Sequence, residues 1–239
     1  MKVNKDGNGY TFAFSIILVI VVGVILSSLS IGLGPLKKAN VEVKKKMNIL
    51  SALGVESTRK DGVEKYKQFI LDSYVISQDG VLQENLPKEK QAFSLDVQKQ
   101  FRDKTISLAD RLYPIFEADK DGEKLFVLPV VGKGLWGPIW GFIALADDYK
   151  TIVGTSFDHK GETPGLGAEI SQNFFEDRYT GEQIAEAGIF TPISVVQNGS
   201  GFEEQKVDGI TGGTITSKGV EKMVNETMRV YYKYFSKNK

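Results

Sequence analysis

The run Asp208-Gly209-Ile210-Thr211-Gly212-Gly213-Thr214-Ile215-Thr216-Ser217 places a hydroxyl, Thr214, directly after a glycine pair and ahead of a segment with helical periodicity. Such an arrangement suits a phosphate. Glycines let the backbone come close to a ligand. The free N–H groups and positive dipole end of a helix favour negative charge. A Gly-Gly step between a strand and a helix is, taken alone, also an ordinary turn. A threonine hydroxyl is a poor nucleophile without a nearby base. Its nearest titratable neighbours in sequence, Asp208 and Lys218, supply no convincing base.

Two further stretches carry residues suited to binding. His159-Lys160-Gly161-Glu162-Thr163-Pro164-Gly165-Leu166-Gly167 follows a strand-like segment, and its proline and glycines fix a tight, exposed loop. Loops held by a sheet are common places for binding residues. A rigid turn with a lone surface histidine fits the same residues. Gly134-Leu135-Trp136-Gly137-Pro138-Ile139-Trp140-Gly141-Phe142-Ile143-Ala144-Leu145 is the other stretch. Its tryptophans either flank a ligand or simply pack in the core. Asp158, His159 and a serine do not make a hydrolytic triad merely by being present in one sequence.

In this order, the three stretches resemble the FMN-binding domain of flavin-carrying subunits in bacterial membrane redox complexes. The threonine run is similar to the flavinylation motif Ser/Thr-Gly-Ala-Thr, with Gly213 where alanine is usual. The loop is similar to His-x-x-Glu-Thr-Pro-Gly-Leu-Gly. The resemblance covers most of the chain and is weakest from about Gly54 to Phe116. It is best with the C subunit of the sodium-translocating NADH:quinone oxidoreductases. The G subunit of the Rnf ferredoxin:NAD complexes shares the anchor and both flavin motifs, and stays open, as does an anchored binding domain without flavin.

The resemblance implies FMN joined covalently through its phosphate to Thr214. A flavin transferase using FAD and a divalent metal would attach it, gripping Asp208 and the Thr211, Gly212, Gly213 run. It places His159, Glu162, Thr163, Gly165 and Leu166 beside the flavin, with Thr163 and Leu166 on the ring system and Trp136 flanking it or closing its pocket. It implies an electron carrier with no catalytic side chain and no metal ligand of its own. FMN would take single electrons from an iron–sulfur centre held by membrane subunits and pass them to the flavin of the B subunit, with quinone reduced downstream. Sodium movement would belong to the multi-helix subunits.

These residues need a scaffold. Strands are expected over Leu125–Val131, Ile139–Ala146, Thr151–Phe157, Gly188–Val196 and Phe202–Ile210, the first three joined by short turns and hence antiparallel. Asp119-Lys120-Asp121-Gly122 lacks the further acidic ligands of a calcium loop and reads as a hairpin turn. Helices are expected from Lys37 to about Gly54, from about Gly62 to Val75, and at the end of the domain. There Val220, Met223, Val224, Thr227, Met228, Tyr231 and Phe235 recur at helical spacing, with Ser217 as the N-cap. The fold class is α+β: a single N-terminal transmembrane helix, then a mostly antiparallel sheet flanked by helices. The expected divisions are 1–36 (tail and anchor), 37–120 (helical and connecting region) and 121–239 (FMN-binding domain).

The anchor rests on Gly7 to Leu36, which holds no charge, with the apolar core Phe12 to Leu33 long enough to span a bilayer. That run is too long for a typical signal peptide. It carries no charged residue in its middle and so offers no ion pathway. Lys37, Lys38, Lys44, Lys45 and Lys46 follow it, against Lys2 and Lys5 before. Charge alone thus puts the domain in the cytoplasm, whereas the resemblance implies the periplasmic or outer face of a bacterial inner membrane. The 239 residues hold 30 basic and 30 acidic side chains, no cysteine and one histidine. That balance does not point to nucleic acid. It excludes thiol catalysis, Cys-ligated clusters and a His-rich metal site within this chain.

Overall fold

The computed structural model describes residues 8–197 and 205–237. The chain divides into two units, Met1–Lys44 and Lys45–Lys239. In the first, α1 (Asn8–Gly32) buries none of its residues and is long and apolar enough to cross a bilayer. At 1.5 Å per residue it measures about 37 Å, against about 30 Å of hydrocarbon. Helical bonds continue past it, from the N–H of Lys37 to the carbonyl of Leu33 at 2.9 Å, into α2 (Gly34–Ala52). Pro35, in the first turn of α2, has no N–H to add to this continuing ladder.

The second unit is built on five consecutive antiparallel strands in the order β1-β2-β3-β4-β5. After α3 (Gly62–Phe69) come β1 (Ile70–Ser77), the short α4 (Val97–Arg102), β2 (Leu112–Lys120), β3 (Glu123–Lys133), β4 (Pro138–Leu145) and β5 (Ile152–His159). The β2–β3 turn is Asp121-Gly122, both with positive φ, as the hairpin reading requires. Beyond β5 lie the one-turn α5 (Asn173–Glu176), the small pairs β6 (Ala185–Glu186) with β7 (Ile189–Phe190) and β8 (Ser194–Val196) with β9 (Lys206–Asp208), and finally α6 (Thr214–Lys237).

Both faces of the sheet are covered, which is why β3 reads as an unbroken apolar run rather than an alternation. Phe126, Leu128 and Val130 face one cluster with Val220, Met223, Val224 and Tyr231 of α6. Leu125 and Val127 face the other, with Ile49, Ala52 and Leu53 at the end of α2 and just beyond. Helix α6 lies very close to β3. A β-carbon on Gly219 would stand 2.4 Å from the carbonyl oxygen of Lys133, so only glycine permits this approach. The pairing of β2 with β3 stops at Phe116↔Val127, short of Pro114 and Pro129. The buried Tyr231 hydroxyl then donates to the carbonyls of both prolines, at 2.9 and 3.1 Å.

Some sequence expectations change. The helix expected over Gly62–Val75 ends at Phe69, and the chain continues as β1, whose Tyr74 and Val75 pair with Ile115 and Pro114 of β2. The strand expected over Gly188–Val196 is two short strands separated by Thr191 to Ile193, where Pro192 has no N–H to offer a ladder. Of the strand expected over Phe202–Ile210, Lys206–Asp208 forms and pairs in parallel with β8, while 198–204 lies outside the described residues. Ser217 is not the N-cap. α6 already starts at Thr214, and Ser217 sits inside its first turn with its hydroxyl accepting from the N–H of Ile210 at 2.9 Å.

Candidate functional site

Three segments meet where β3 turns into β4, where β5 ends, and where α6 begins. Glu162 joins them. It is only 4% exposed. Its Oε1 accepts from the N–H groups of Trp136 at 2.9 Å and Gly137 at 3.2 Å, and its Oε2 accepts the Thr216 hydroxyl at 2.6 Å. Burial opposes ionisation of this carboxyl. Bonds from Thr216, Trp136, Gly137 and Leu135 together outweigh it and hold the pKa below the ordinary carboxylate value. Glu162 is thus an ionised clamp, its basicity lowered and both oxygens already bonded.

The loop after β5 is ordered by its own polar groups. The Glu162 N–H donates to Nδ1 of His159 at 3.1 Å, and the His159 N–H donates to Asp158 at 2.9 Å. The carbonyl of Thr163 accepts from Leu166 and Ala168, both at 3.1 Å. Gly165 has φ +75°, and its N–H donates to Glu169 at 2.9 Å. This rigid loop leans on the glycine pair, since a β-carbon on Gly212 would meet Cδ2 of Leu166 at 2.7 Å. Gly212 also has φ +75°, the left-handed region that favours glycine.

Between the segments lies a cavity of about 210 Å³. Leu135, Trp136, Glu162, Thr163, Leu166 and Gly167 form one side, and Gly212, Gly213, Thr214 and Ile215 the other. Trp136 is 69% exposed, which decides against core packing for this tryptophan, while Trp140 is half-buried. Nε1 of Trp136 donates to the Thr163 hydroxyl at 3.1 Å. With Leu135, Leu166 and Ile215, also exposed, it gives the cavity an apolar rim. Thr214 is exposed as the first residue of α6, and its hydroxyl accepts from Gln197. The N–H groups of the first helical turn, Thr214 to Thr216, have no acceptor within the helix, whereas the N–H of Ser217 bonds to Gly213 at 2.9 Å.

The structure therefore brings Trp136, Glu162, Thr163, Leu166, Gly212, Gly213 and Thr214 to one cavity. His159, Gly165, Asp208 and Thr211 are not on its wall. His159 and Gly165 shape the loop from behind. Asp208 ends β9, where its carbonyl accepts from Arg178 at 2.6 Å. Sequence reasoning missed Thr216 and Gln197, the polar partners of Glu162 and Thr214, and the rim residues Leu135 and Ile215. Among the described residues no cluster of side chains could hold a metal ion. The amide of Asn225, in a glycosylation-type triplet, is used internally, bonding both the N–H and the carbonyl of Ile193. The other such triplet begins at Asn198, outside the described residues.

Residues 134–229, which contain every wall of this cavity, match the FMN-binding domain family. The C subunit of the Na(+)-translocating NADH-quinone reductase from Vibrio parahaemolyticus is 29% identical, over 92% of this chain and 90% of its own. The Haemophilus ducreyi protein of the same name is 28% identical, over 92% and 89%. Among solved structures, that of the Parabacteroides distasonis C subunit is 36% identical, covers 83% of this chain and 94% of its own, and superposes with a TM-score of 0.74. The structure of the Shewanella oneidensis protein NqrC, at 21% identity and a TM-score of 0.69, covers 83% and 98% and shares the fold. Taken with the fold and the site, these similarities show that the chain belongs to the C-subunit family of the Na(+)-translocating NADH-quinone reductases, an oxidoreductase complex.

Proposed function

We propose that this chain is the electron-carrying FMN subunit of such a complex and that it holds FMN by a phosphoester to Thr214. The observation that carries the proposal is the exposed Thr214 hydroxyl at the start of α6, on the wall of a cavity with an apolar rim. The residues fit the group. The N–H groups of the first turn and the dipole of α6 favour a phosphate at Thr214. Gly212 leaves exposed backbone beside it, and Trp136, Leu166 and Ile215 offer apolar surface to a flavin ring. A volume of about 210 Å³ lies below the roughly 300 Å³ from which sites enclose a small molecule, so the cofactor stays partly open to solvent and to a redox partner.

Attachment from FAD would replace a pyrophosphate bond by the bond from Thr214 Oγ1 to phosphorus, releasing AMP and the hydroxyl proton. Glu162, the carboxylate on the cavity wall, is ionised and fully engaged, so the base belongs to a separate flavin transferase. Bound FMN supplies one- and two-electron redox chemistry; the protein fixes its position and its surroundings. Within the complex we assign the chain a relay between an iron–sulfur centre of the membrane subunits and the flavin of the B subunit.

We further propose that α1 is a retained single anchor with the sheet domain on the outer face of a bacterial inner membrane. Two of the five lysines after α1 are engaged within the sheet domain. Lys45 Nζ donates to the carbonyls of Phe93 and Leu95 at 2.7 and 3.3 Å, and burial, partly offset by Asp96, pushes its pKa down to about 8. Lys46 lies over the rings of Tyr66 and Phe93. Both serve the fold.

The test is in-gel flavin fluorescence after denaturation, with intact mass, on wild type and Thr214→Val, each co-expressed with the transferase and exported. A fluorescent band carrying the mass of one FMN, lost in the variant, is expected. No added mass in wild type, with the transferase active on a control substrate, would leave an anchored binding domain without covalent flavin.

A further inference from the structure

Away from Thr214, a larger cavity of about 300 Å³ opens between α4, the start of β2, β3 and α6. Its walls are largely apolar, with Val97, Phe101, Leu108, Pro129 and Val131. Among the described residues, one cation in that wall has no carboxylate partner. The guanidinium of Arg111 packs over the ring of Phe101, 5.4 Å from its centre. Its Nε is shielded from solvent and has no hydrogen-bond partner. Among the described residues no carboxylate pairs with it.

The other charges of the wall have neighbours of their own. Glu226 faces Lys222 at 3.8 Å, and Arg229 lies 4.9 Å from the centre of the Phe190 ring. A guanidinium donor withdrawn from water demands an acceptor, and its planar fork matches a carboxylate. The volume reaches the lower bound for small-molecule sites. Glu226 on the same wall disfavours a ligand of higher negative charge.

We propose that this cavity binds a small amphipathic carboxylate, with its apolar body between Phe101, Leu108 and Val131 and its carboxylate on the Arg111 guanidinium. The site is independent of the flavin cavity, and its ligand is an organic monoanion.

The test uses the full chain in a neutral detergent, with phenylacetate as the probe and phenylacetamide as its uncharged counterpart, followed by calorimetric titration. Saturable binding of phenylacetate is expected, with phenylacetamide at least about tenfold weaker, as loss of a charged hydrogen-bond pair implies. Arg111→Gln should weaken phenylacetate by a similar factor, and Arg111→Lys should restore part of the loss. Equal binding of acid and amide, unchanged phenylacetate binding in Arg111→Gln, or no saturable binding of phenylacetate to wild type would each overturn the proposal. The acid–amide comparison needs no variant, so a misfolded mutant cannot obscure it.

Discussion

The hydroxyl of Thr216 donates to Glu162 across 2.6 Å and 54 positions of sequence, tying the first turn of α6 to the loop after β5. Both groups are buried. Thr216→Val removes the donor and leaves a shielded carboxylate oxygen without a partner, a cost of about 1–3 kcal/mol. For a chain of this size that lowers Tm by about 2–4 °C for each kcal/mol lost. Glu162→Ala also frees the N–H groups of Trp136 and Gly137 and should cost more. The clamp's contribution is complete above the ordinary carboxylate pKa and is lost as pH falls through the lower folded value. Thermal melts between pH 3 and 7 should therefore show an acid-side loss in wild type that is smaller in Glu162→Ala.

Gly213 stands where alanine is usual in similar flavinylation motifs, and the structure gives a reason. A β-carbon there would lie 3.0 Å from Cγ2 of Ile210 and 3.2 Å from the carbonyl carbon of Leu166. Gly213→Ala thus overpacks this chain rather than repairing it, at about 1 kcal/mol. A fall in Tm of about 2–4 °C is expected, with flavin incorporation no faster than in wild type. Faster incorporation with an unchanged Tm would show that the neighbours yield freely.

Glu176 is buried beneath β5, where it accepts from the N–H of Phe157. Burial, resisted by that bond and reinforced by Asp177 and Asp158, pushes its pKa up to about 7. The folded state therefore holds a proton that the unfolded state has already released, and stability falls as pH rises from the ordinary carboxylate value to about 7. The span from 4.5 to about 7 corresponds to about 3 kcal/mol. Glu176→Gln keeps an acceptor for Phe157. It should match wild type below pH 4.5 and exceed it above pH 7, as read by denaturant melts at several pH values.

Two fully buried tyrosines should respond in opposite ways to loss of the hydroxyl. Tyr231 bonds both proline carbonyls, so Tyr231→Phe strands two acceptors and should cost about 1–3 kcal/mol. Tyr179 packs among Phe157 and Phe175, and its hydroxyl has no partner. Tyr179→Phe should leave stability unchanged or raise it by up to about 1 kcal/mol, since no bond is lost and a buried polar group is removed. A loss on the scale of Tyr231→Phe would reveal an acceptor for the Tyr179 hydroxyl.

The part of this molecule legible in sequence is the part whose signal is local. β3, β4 and β5 are apolar runs between turn residues, and Asp121-Gly122 names its own hairpin. β1 was hidden because Tyr66, Ile70 and Tyr74 continue a helical spacing from α3 into the strand, and β2 because Pro114 argues against a strand. The candidate site was legible where a motif is contiguous, as at Thr214 and the Glu162–Leu166 loop. Thr216 as the partner of Glu162, or Gln197 as that of Thr214, depends on contacts between distant segments that no periodicity encodes.

The contact of Gly219 with the Lys133 carbonyl sets the axial register of α6. Gly219 lies five positions after Thr214, about 7.5 Å along the helix. Sliding the helix by one position would bring a side chain against that carbonyl, which the 2.4 Å spacing forbids. The spot at which the threonine hydroxyl meets the cavity is thus indexed by a residue that never touches it, and changes at 219 should displace that hydroxyl, and with it the proposed attachment point, without altering its chemistry.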